Sequence, residues 1–260
     1  MNNQKYLIAA NWKQNGDAKS LIRLINNFIR LYKKAKPTCD ILILPPAIYL
    51  ETILNRLKHH KVSRKKISLG AQNISPYQNG AYTGELSVDM TKDYNCNYTL
   101  VGHTERRLFF NEDEKIISKK VRLSIESGMQ TILCVGETMA EYNSKSTKKV
   151  ILRQLKSALV KSANLIKSDH NKIIIAYEPV WAIGTGKTAS LDDIRDVHGY
   201  IHNSLSKILG TKTNSIKILY GGSVNNLNAA SILVLSNVNG ALVGGASLNS
   251  KKFIDICSSI

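Results

Sequence analysis

The sequence has few acidic residues, and its cysteines are not spaced for a metal or redox site. It contains 19 Asp and Glu residues against 36 Lys and Arg residues, a formal net charge of +17 at pH 7. No C-x-x-C pair occurs, so neither a disulfide scaffold nor a zinc site is indicated. We expect reduced thiols. Cys134 ends an apolar run and could be a nucleophile, but a cysteine within a strand is more often a small buried residue.

The sequence also lacks a long apolar run. Its longest runs, such as Ile41 to Leu44, are far too short to cross a bilayer. The start of the chain shows no signal-peptide pattern, because the apolar segment after it is interrupted at Asn11 and Lys13. We therefore expect a cytoplasmic protein with no membrane partner. A single domain spanning residues 1–260 suits this length.

The excess of positive charge makes nucleic acid, or another polyanion, a candidate partner. The lysines are spread over almost every helical segment, however, and no motif of a known nucleic-acid-binding module accompanies them. A compositional bias toward Lys, Asn and Ile explains this distribution without a dedicated site. No specific nucleic acid is expected, and polyanion binding stays as the alternative function. A diffuse positive field would still attract an anionic substrate.

Short apolar segments alternate with longer amphipathic segments along the whole chain. Eight such units predict an α/β protein, a closed (β/α)8 barrel with parallel strands ringed by helices. Right-handed crossovers would put every strand-to-helix loop at the same rim. The predicted strands are Tyr6 to Ala10, Ile41 to Leu44, Ile67 to Ala71, Tyr98 to Val101, Thr131 to Val135, Ile173 to Tyr177, Ile216 to Tyr220 and Ala241 to Val243. The main predicted helices start near Asp17 or span Ile48 to Leu57, Asp113 to Ser127, Val150 to Leu165 and Leu191 to Leu209.

The stretch from Ala176 to Thr188 carries the most informative pattern. An apolar strand ends there in one carboxylate, Glu178, where α/β folds put their chemistry. Pro179 makes the following segment stiff, whereas Gly184 beyond it can absorb dihedral changes, a combination typical of a lid loop. The later Gly-Lys-Thr sequence does not make a nucleotide-binding loop, because Trp181 stands where that motif requires a glycine.

Other polar residues and glycine pairs follow the predicted strands. Asn11 and Lys13 come after the first strand and His103 after the fourth, and Gly221-Gly222 and Gly244-Gly245 follow the last two. Glycine pairs in those two loops commonly form a phosphate site from backbone N–H groups. Each feature alone also has an ordinary explanation: a surface cation, a hydrogen-bonded structural histidine, or a turn.

Taken together, five ordered motifs resemble those of the triosephosphate isomerase family. They are Asn11-Trp12-Lys13, Val101 to Arg107, Ala176 to Thr188, Tyr220 to Val224 and Gly244 to Leu248. The resemblance implies interconversion of dihydroxyacetone phosphate and D-glyceraldehyde 3-phosphate through an enediolate, in glycolysis and gluconeogenesis, without cofactor or metal. It makes Glu178 the base, His103 the neutral electrophile and Lys13 the counter-charge. It assigns substrate binding to Asn11, Lys13, Gly184, Ser223, Gly244 and Gly245, and a supporting role to Glu105.

A long polar loop, Gln72 to Glu85, follows the third strand and is predicted to project as a compact unit. It resembles the interdigitating loop of the family's homodimer, which implies that Thr83 reaches the partner's active site. The chain departs from the family pattern at Thr104, usually serine, and at Gln14, usually apolar or sulfur-containing. The second departure bears on the strength of the dimer.

Two histidines on a predicted helix, His198 and His202, are four residues apart, a spacing that could hold zinc. Gly199 stands where the zinc-protease motif has its glutamate. We interpret both histidines as solvated helix residues and expect no metal.

Overall fold

A computed structural model describes residues 5–63, 65–182, 188–210 and 213–260. Within them, eight parallel strands form a closed barrel in chain order, with β1 also paired to β8. The predicted fold class is confirmed. The strands are β1 (Leu7–Asn11), β2 (Asp40–Leu44), β3 (Ile67–Ala71), β4 (Cys96–Val101), β5 (Gln130–Val135), β6 (Ile173–Tyr177), β7 (Ile218–Tyr220) and β8 (Gly240–Val243).

Helices surround this barrel. They are α1 (Ala18–Ala35), α2 (Leu50–His59), α3 (Val88–Asp93), α4 (Thr104–Phe109), α5 (Glu114–Glu126), α6 (Met139–Asn143), α7 (Thr147–Leu159), α8 (Ala163–Ser168), α9 (Leu191–Leu209), α10 (Ala229–Leu233) and α11 (Ser250–Cys257). Short 3-10 turns lie at Ala47–Tyr49, Val160–Ser162, His170–Lys172, Val180–Ala182 and Gly245–Leu248. None of the helices described is both long enough and apolar enough to pass through a bilayer.

The helix predicted from Val150 to Leu165 is not continuous. α7 ends at Leu159, and the Val160–Ser162 turn separates it from α8. The spacing of apolar residues indicates which face of a helix is buried. It does not reveal where an α-helix gives way to a 3-10 turn, whose backbone hydrogen bonds span three residues instead of four. β7 likewise begins two residues later than predicted.

Two apolar layers hold the barrel together. Alternate strand residues point outward and pack under the helices, and the others fill the inside. The barrel interior cluster consists of Leu7, Ala9, Leu42, Leu44, Leu100, Ile132, Cys134, Ile174, Ala176, Leu219 and Leu242. Cys134 is thus a buried packing residue, as preferred from the sequence, and burial raises the pKa of its thiol well above the usual value.

The interpretation of His198 as a solvated residue is wrong. Its side chain is 0% exposed, and its Nδ1 lies 3.0 Å from the carbonyl oxygen of Asn237. The reason is its position on α9, four residues after Ile194 and three before Ile201, on the face that packs against the barrel. His202 is half-buried and contacts Asn214 at 3.1 Å. Among the described residues, no group of three or more His, Cys, Asp and Glu side chains could hold a metal ion.

Candidate active site

The loops at the carboxyl ends of the strands enclose a cavity of about 400 Å³. Most of the residues predicted for the site line it: Asn11, Lys13, His103, Glu178, Ser223, Gly244 and Gly245. Glu105 lies next to it, in contact with Lys13. Gly184 belongs to residues 183–187, outside the described residues. Thr83 is exposed on the projecting loop and does not line the cavity.

Glu178 follows β6 directly, and its side chain is held by three contacts. Oε2 accepts hydrogen bonds from the Thr104 backbone N–H and from the Thr104 hydroxyl, both at 3.0 Å. Oε1 lies 3.2 Å from His103 Nε2. The residue is only 1% exposed. These contacts, rather than water, satisfy the oxygens of the buried carboxylate.

Glycines make room for this carboxylate. A Cβ atom at position 221 would lie 2.8 Å from Glu178 Cγ, and one at position 136 would lie 1.8 Å from the Glu178 carbonyl oxygen. Both distances are shorter than non-bonded atoms tolerate. β5 and β7 can therefore flank Glu178 only with glycine at these two positions.

His103 precedes α4 and makes a hydrogen bond that selects its tautomer. Its Nδ1 accepts from the Glu105 backbone N–H at 3.2 Å. An accepting Nδ1 carries no proton, so in the neutral ring the proton is on Nε2. That N–H points toward Glu178 Oε1 and into the cavity.

Lys13 has a left-handed backbone conformation, with φ of 51°. Its N–H donates to Asn11 Oδ1 at 3.0 Å, and its carbonyl oxygen accepts from Gln72 Nε2 at 2.9 Å. Its ammonium lies 2.6 Å from Glu105 Oε1. A non-glycine residue in this conformation costs about 1–3 kcal/mol and is found mainly where surrounding contacts hold it. Asn11 and Gln72 provide those contacts here.

Arg106 and Arg107 of α4 form ion pairs with carboxylates that follow this helix. Arg106 contacts Glu112, and Arg107 lies 2.8 Å from Glu114. Arg107 also donates to the Gly102 carbonyl at 2.8 Å, which ties the start of α4 to the barrel.

The opposite side of the cavity is formed by the loops after β7 and β8. Ser223 Oγ donates to the Ala182 carbonyl at 2.7 Å, which links this side to the turn that follows Glu178. Gly244 lies close enough to Lys13 that an added Cβ would meet Lys13 Cε at 3.4 Å. An anion there would be near both backbone N–H groups and an ammonium.

Sequence reasoning missed several residues of the site. Thr104 was noted only as a departure, and its double hydrogen bond to Glu178 was not foreseen. Glu137 accepts from the Tyr177 hydroxyl at 3.1 Å and from Trp181 Nε1 at 2.9 Å, and burial raises its pKa. The sequence did contain one indication of Glu137, because it is a carboxylate two residues after a predicted strand. Lys252, on α11, also lines the cavity, but no sequence pattern around it indicated this position.

Comparison with known proteins identifies relatives over nearly the whole chain. The family model described as triosephosphate isomerase matches residues 6–260. The triosephosphate isomerase of Lawsonia intracellularis is 42% identical over 252 residues, 97% of each chain. Those of Marinobacter nauticus, at 40% over 257 residues, and Legionella pneumophila, at 39% over 254 residues, each cover 98% of both chains.

Proposed function

The chain belongs to the triosephosphate isomerase family, whose enzymes interconvert dihydroxyacetone phosphate and D-glyceraldehyde 3-phosphate, and we propose that Glu178, His103 and Lys13 carry out this isomerisation. The observation that carries the residue assignment is their meeting in one cavity. A buried carboxylate, an imidazole N–H and an ammonium face the same space at the ends of three strands.

Glu178 is proposed as the base that moves the proton. Its carboxylate removes a proton from the carbon next to the substrate carbonyl and returns it to the former carbonyl carbon, while the substrate's hydroxyl proton moves to the former carbonyl oxygen. The negative charge meanwhile develops on the two oxygens of the enediolate. A substrate oxygen that accepts the His103 Nε2–H replaces the contact between His103 and Glu178, which frees Oε1 to approach the carbon.

His103 and Lys13 stabilise the enediolate in this proposal. The Nε2–H donates to the developing oxyanion, and the ammonium balances its charge. Both groups are fixed before substrate binds, His103 by the Glu105 N–H and Lys13 by Asn11, Gln72 and Glu105. Such preorganisation avoids the cost of reorienting water around the new charge.

The loops after β7 and β8 are proposed to bind the phosphate. Ser223, Gly244 and Gly245 line the cavity on that side, and the Lys13 side chain passes close to Gly244. The lid would close over this end and exclude water, which protects the enediolate from losing its phosphate. Its first described part, Val180–Ala182, is anchored through the Trp181 contact with Glu137.

We also propose a cytoplasmic homodimer joined through the loop from Gln72 to Glu85. A second cavity, of about 680 Å³, adjoins the first and is lined by Gln14, Gln72, Glu105, Phe109 and Phe110 among others. Phe109 and Phe110 are 73% and 63% exposed. A projecting loop of a second copy would cover them and bring Thr83 toward Asn11 and Lys13. The alternative of a nucleic-acid-binding protein rests on net charge alone, and the comparisons give it no support.

An assay with D-glyceraldehyde 3-phosphate, coupled to reduction of the product, tests the assignment of the base. Glu178→Gln should lower kcat about 10²–10⁴-fold with little change in KM, because an amide cannot accept the proton. Glu126→Gln, an exposed substitution on α5, is the matched control and should retain wild-type turnover. Wild-type kcat in Glu178→Gln would refute the assignment.

A further inference from the structure

The end of the barrel opposite the active site carries lysines that are aligned with its interior. Leu7 of β1 and Leu219 of β7 belong to the barrel interior cluster. Side chains along a strand alternate between the two faces, so the residue two positions earlier lies on the same face. Lys5 and Lys217 are therefore directed toward the amino-terminal opening of the barrel interior.

The same alternation adds further polar residues from neighbouring strands. Asp40 lies two residues before Leu42 on β2. Lys66 lies two residues before Ser68, which faces inward because Ile67 and Leu69 pack under the helices. Tyr98 of β4 packs against the interior cluster. We call Lys5, Asp40, Lys66, Tyr98 and Lys217 the amino-terminal mouth.

Backbone pairing brings the members of this mouth together. The Asp40 N–H donates to the Tyr6 carbonyl at 2.9 Å, and the Ile41 N–H donates to the Lys66 carbonyl at 2.9 Å. Asp40 thus starts β2, and Lys5 and Lys66 lie just before the starts of the neighbouring strands β1 and β3. On the other side of β1, the interior-facing position that starts β8 is Gly240, which has no side chain.

The positive charges of the mouth are only partly compensated. Contact with the Lys5 ammonium lowers the pKa of Lys66. Burial lowers the pKa of Lys217, an effect that Lys5 reinforces and Asp40 opposes. Asp40 is the one carboxylate among three lysines, and within the described parts of the chain it forms no ion pair with any of them. Neighbouring ammonium groups in this arrangement repel each other unless an anion lies between them.

We propose that the amino-terminal mouth binds a compact multivalent oxyanion such as phosphate or pyrophosphate, with Lys5, Lys66 and Lys217 as its ammonium donors. Tyr98 supplies a hydroxyl donor beside them. The ligand is compact because Leu7, Leu42 and Leu219 fill the interior directly behind the mouth. This site is independent of the catalytic cavity, which lies at the other end of the barrel.

Calorimetric titration with pyrophosphate at low ionic strength tests this site. The catalytic cavity is expected to take one ion as well, so the wild-type protein should bind two per chain. Lys66→Met/Lys217→Met should retain only the cavity ion, and the affinity at the mouth should fall at least about tenfold, because charge-assisted hydrogen bonds are lost. Lys13→Met should instead retain the mouth ion.

Two controls separate this effect from net charge and from misfolding. Lys33→Met/Lys34→Met removes the same charge from the exposed end of α1 and should keep both ions. The mouth variant should isomerise D-glyceraldehyde 3-phosphate at the wild-type rate. If it does not fold, the exposed Lys5→Met gives the same comparison. Unchanged binding in the mouth variant, loss of both ions in Lys13→Met, or tighter binding of a DNA oligonucleotide than of pyrophosphate would each overturn the proposal.

Discussion

Within the described parts of the chain, two lysines line the catalytic cavity, and their surroundings differ. The Lys13 ammonium is paired with Glu105 at 2.6 Å. Lys252 reaches the cavity from α11 and, among the residues described, has no carboxylate partner. Its neighbour Lys251 is exposed and paired with Asp255 at 2.5 Å. An unpaired cation at the side expected to receive the phosphate adds to the field that attracts a dianion.

Lys252→Met should therefore weaken capture of the substrate. We expect KM to rise about two- to tenfold with little change in kcat, as for an exposed charge interaction of about 1 kcal/mol. Lys251→Met removes the same charge one residue away and should leave KM unchanged. Steady-state kinetics of the two variants at low salt make the comparison. Equal KM values in both would refute a specific effect of Lys252.

A glycine beside Glu178 gives a second prediction at this scale. In Gly221→Ala, the new Cβ would lie 2.8 Å from Glu178 Cγ, so the carboxylate must move. Small misplacements of a catalytic group can cost about 10²-fold in rate, and we expect kcat to fall by that order. Gly199→Ala on α9 meets no atom within 4 Å and should instead raise the free energy of unfolding by about 0.5–1 kcal/mol. A fully active Gly221→Ala would show that the carboxylate tolerates displacement.

Among the elements, α9 contributes a buried titratable group. His198 packs edge-on against Tyr177 at 6.0 Å between ring centres, and burial lowers its pKa to about 4. The unfolded chain, with a pKa of about 6.5, binds more protons between these two values. The free energy of unfolding should therefore fall as the pH is lowered from 6.5 to 4, by up to about 3 kcal/mol from this residue.

Urea unfolding across that pH range tests the contribution of His198. In His198→Gln the slope of stability against pH should be smaller, because the amide does not titrate. His202→Gln, on the same helix but half-buried, should keep the wild-type slope of unfolding free energy against pH. Identical slopes in His198→Gln and wild type would contradict the explanation.

The sequence located most elements because apolar periodicity reports burial directly. β3, β6 and α9 have the predicted bounds. The site residues at strand ends, such as Lys13 and Glu178, were recognisable because a polar side chain there interrupts an apolar strand. The hydrogen bond from Thr104 to Glu178 joins residues 74 positions apart, so only the closed barrel reveals it. His198 was wrongly interpreted as solvated because its exposure is decided by its position on the buried face of α9, and not by its polar side chain.

At the scale of the whole molecule, the exposed apolar residues bear on assembly. Tyr77 and Tyr82 stack within the projecting loop at 4.3 Å between ring centres, and both remain partly exposed. Ile74, in the same loop, is fully buried within its own chain and adds no exposed apolar area. The exposed aromatic residues that bear on the proposed dimer are therefore the tyrosine pair together with Phe109 and Phe110.

Phe109→Ser/Phe110→Ser should convert the proposed dimer to monomers, since both side chains are exposed within one chain and contribute little to its own core. Sedimentation equilibrium gives the distribution of species. Turnover should fall with dissociation if Thr83 of the partner subunit helps to position Asn11 and Lys13. Gln14→Met, in the same cavity, should leave the dimer intact or tighter. A wild-type protein that is monomeric and equally active would refute the assembly.

The pairing of β1 with β8 also has a consequence for synthesis of the chain. Leu7 and Gly240 are partners in the closed barrel, yet the ribosome adds the second long after the first. At about 5–20 residues per second, the nascent chain keeps the β1 edge uncovered for tens of seconds. During that interval an unpaired edge strand can pair with another nascent chain. Molecular chaperones that bind the emerging polypeptide would therefore have their greatest effect on yield before the final unit is translated.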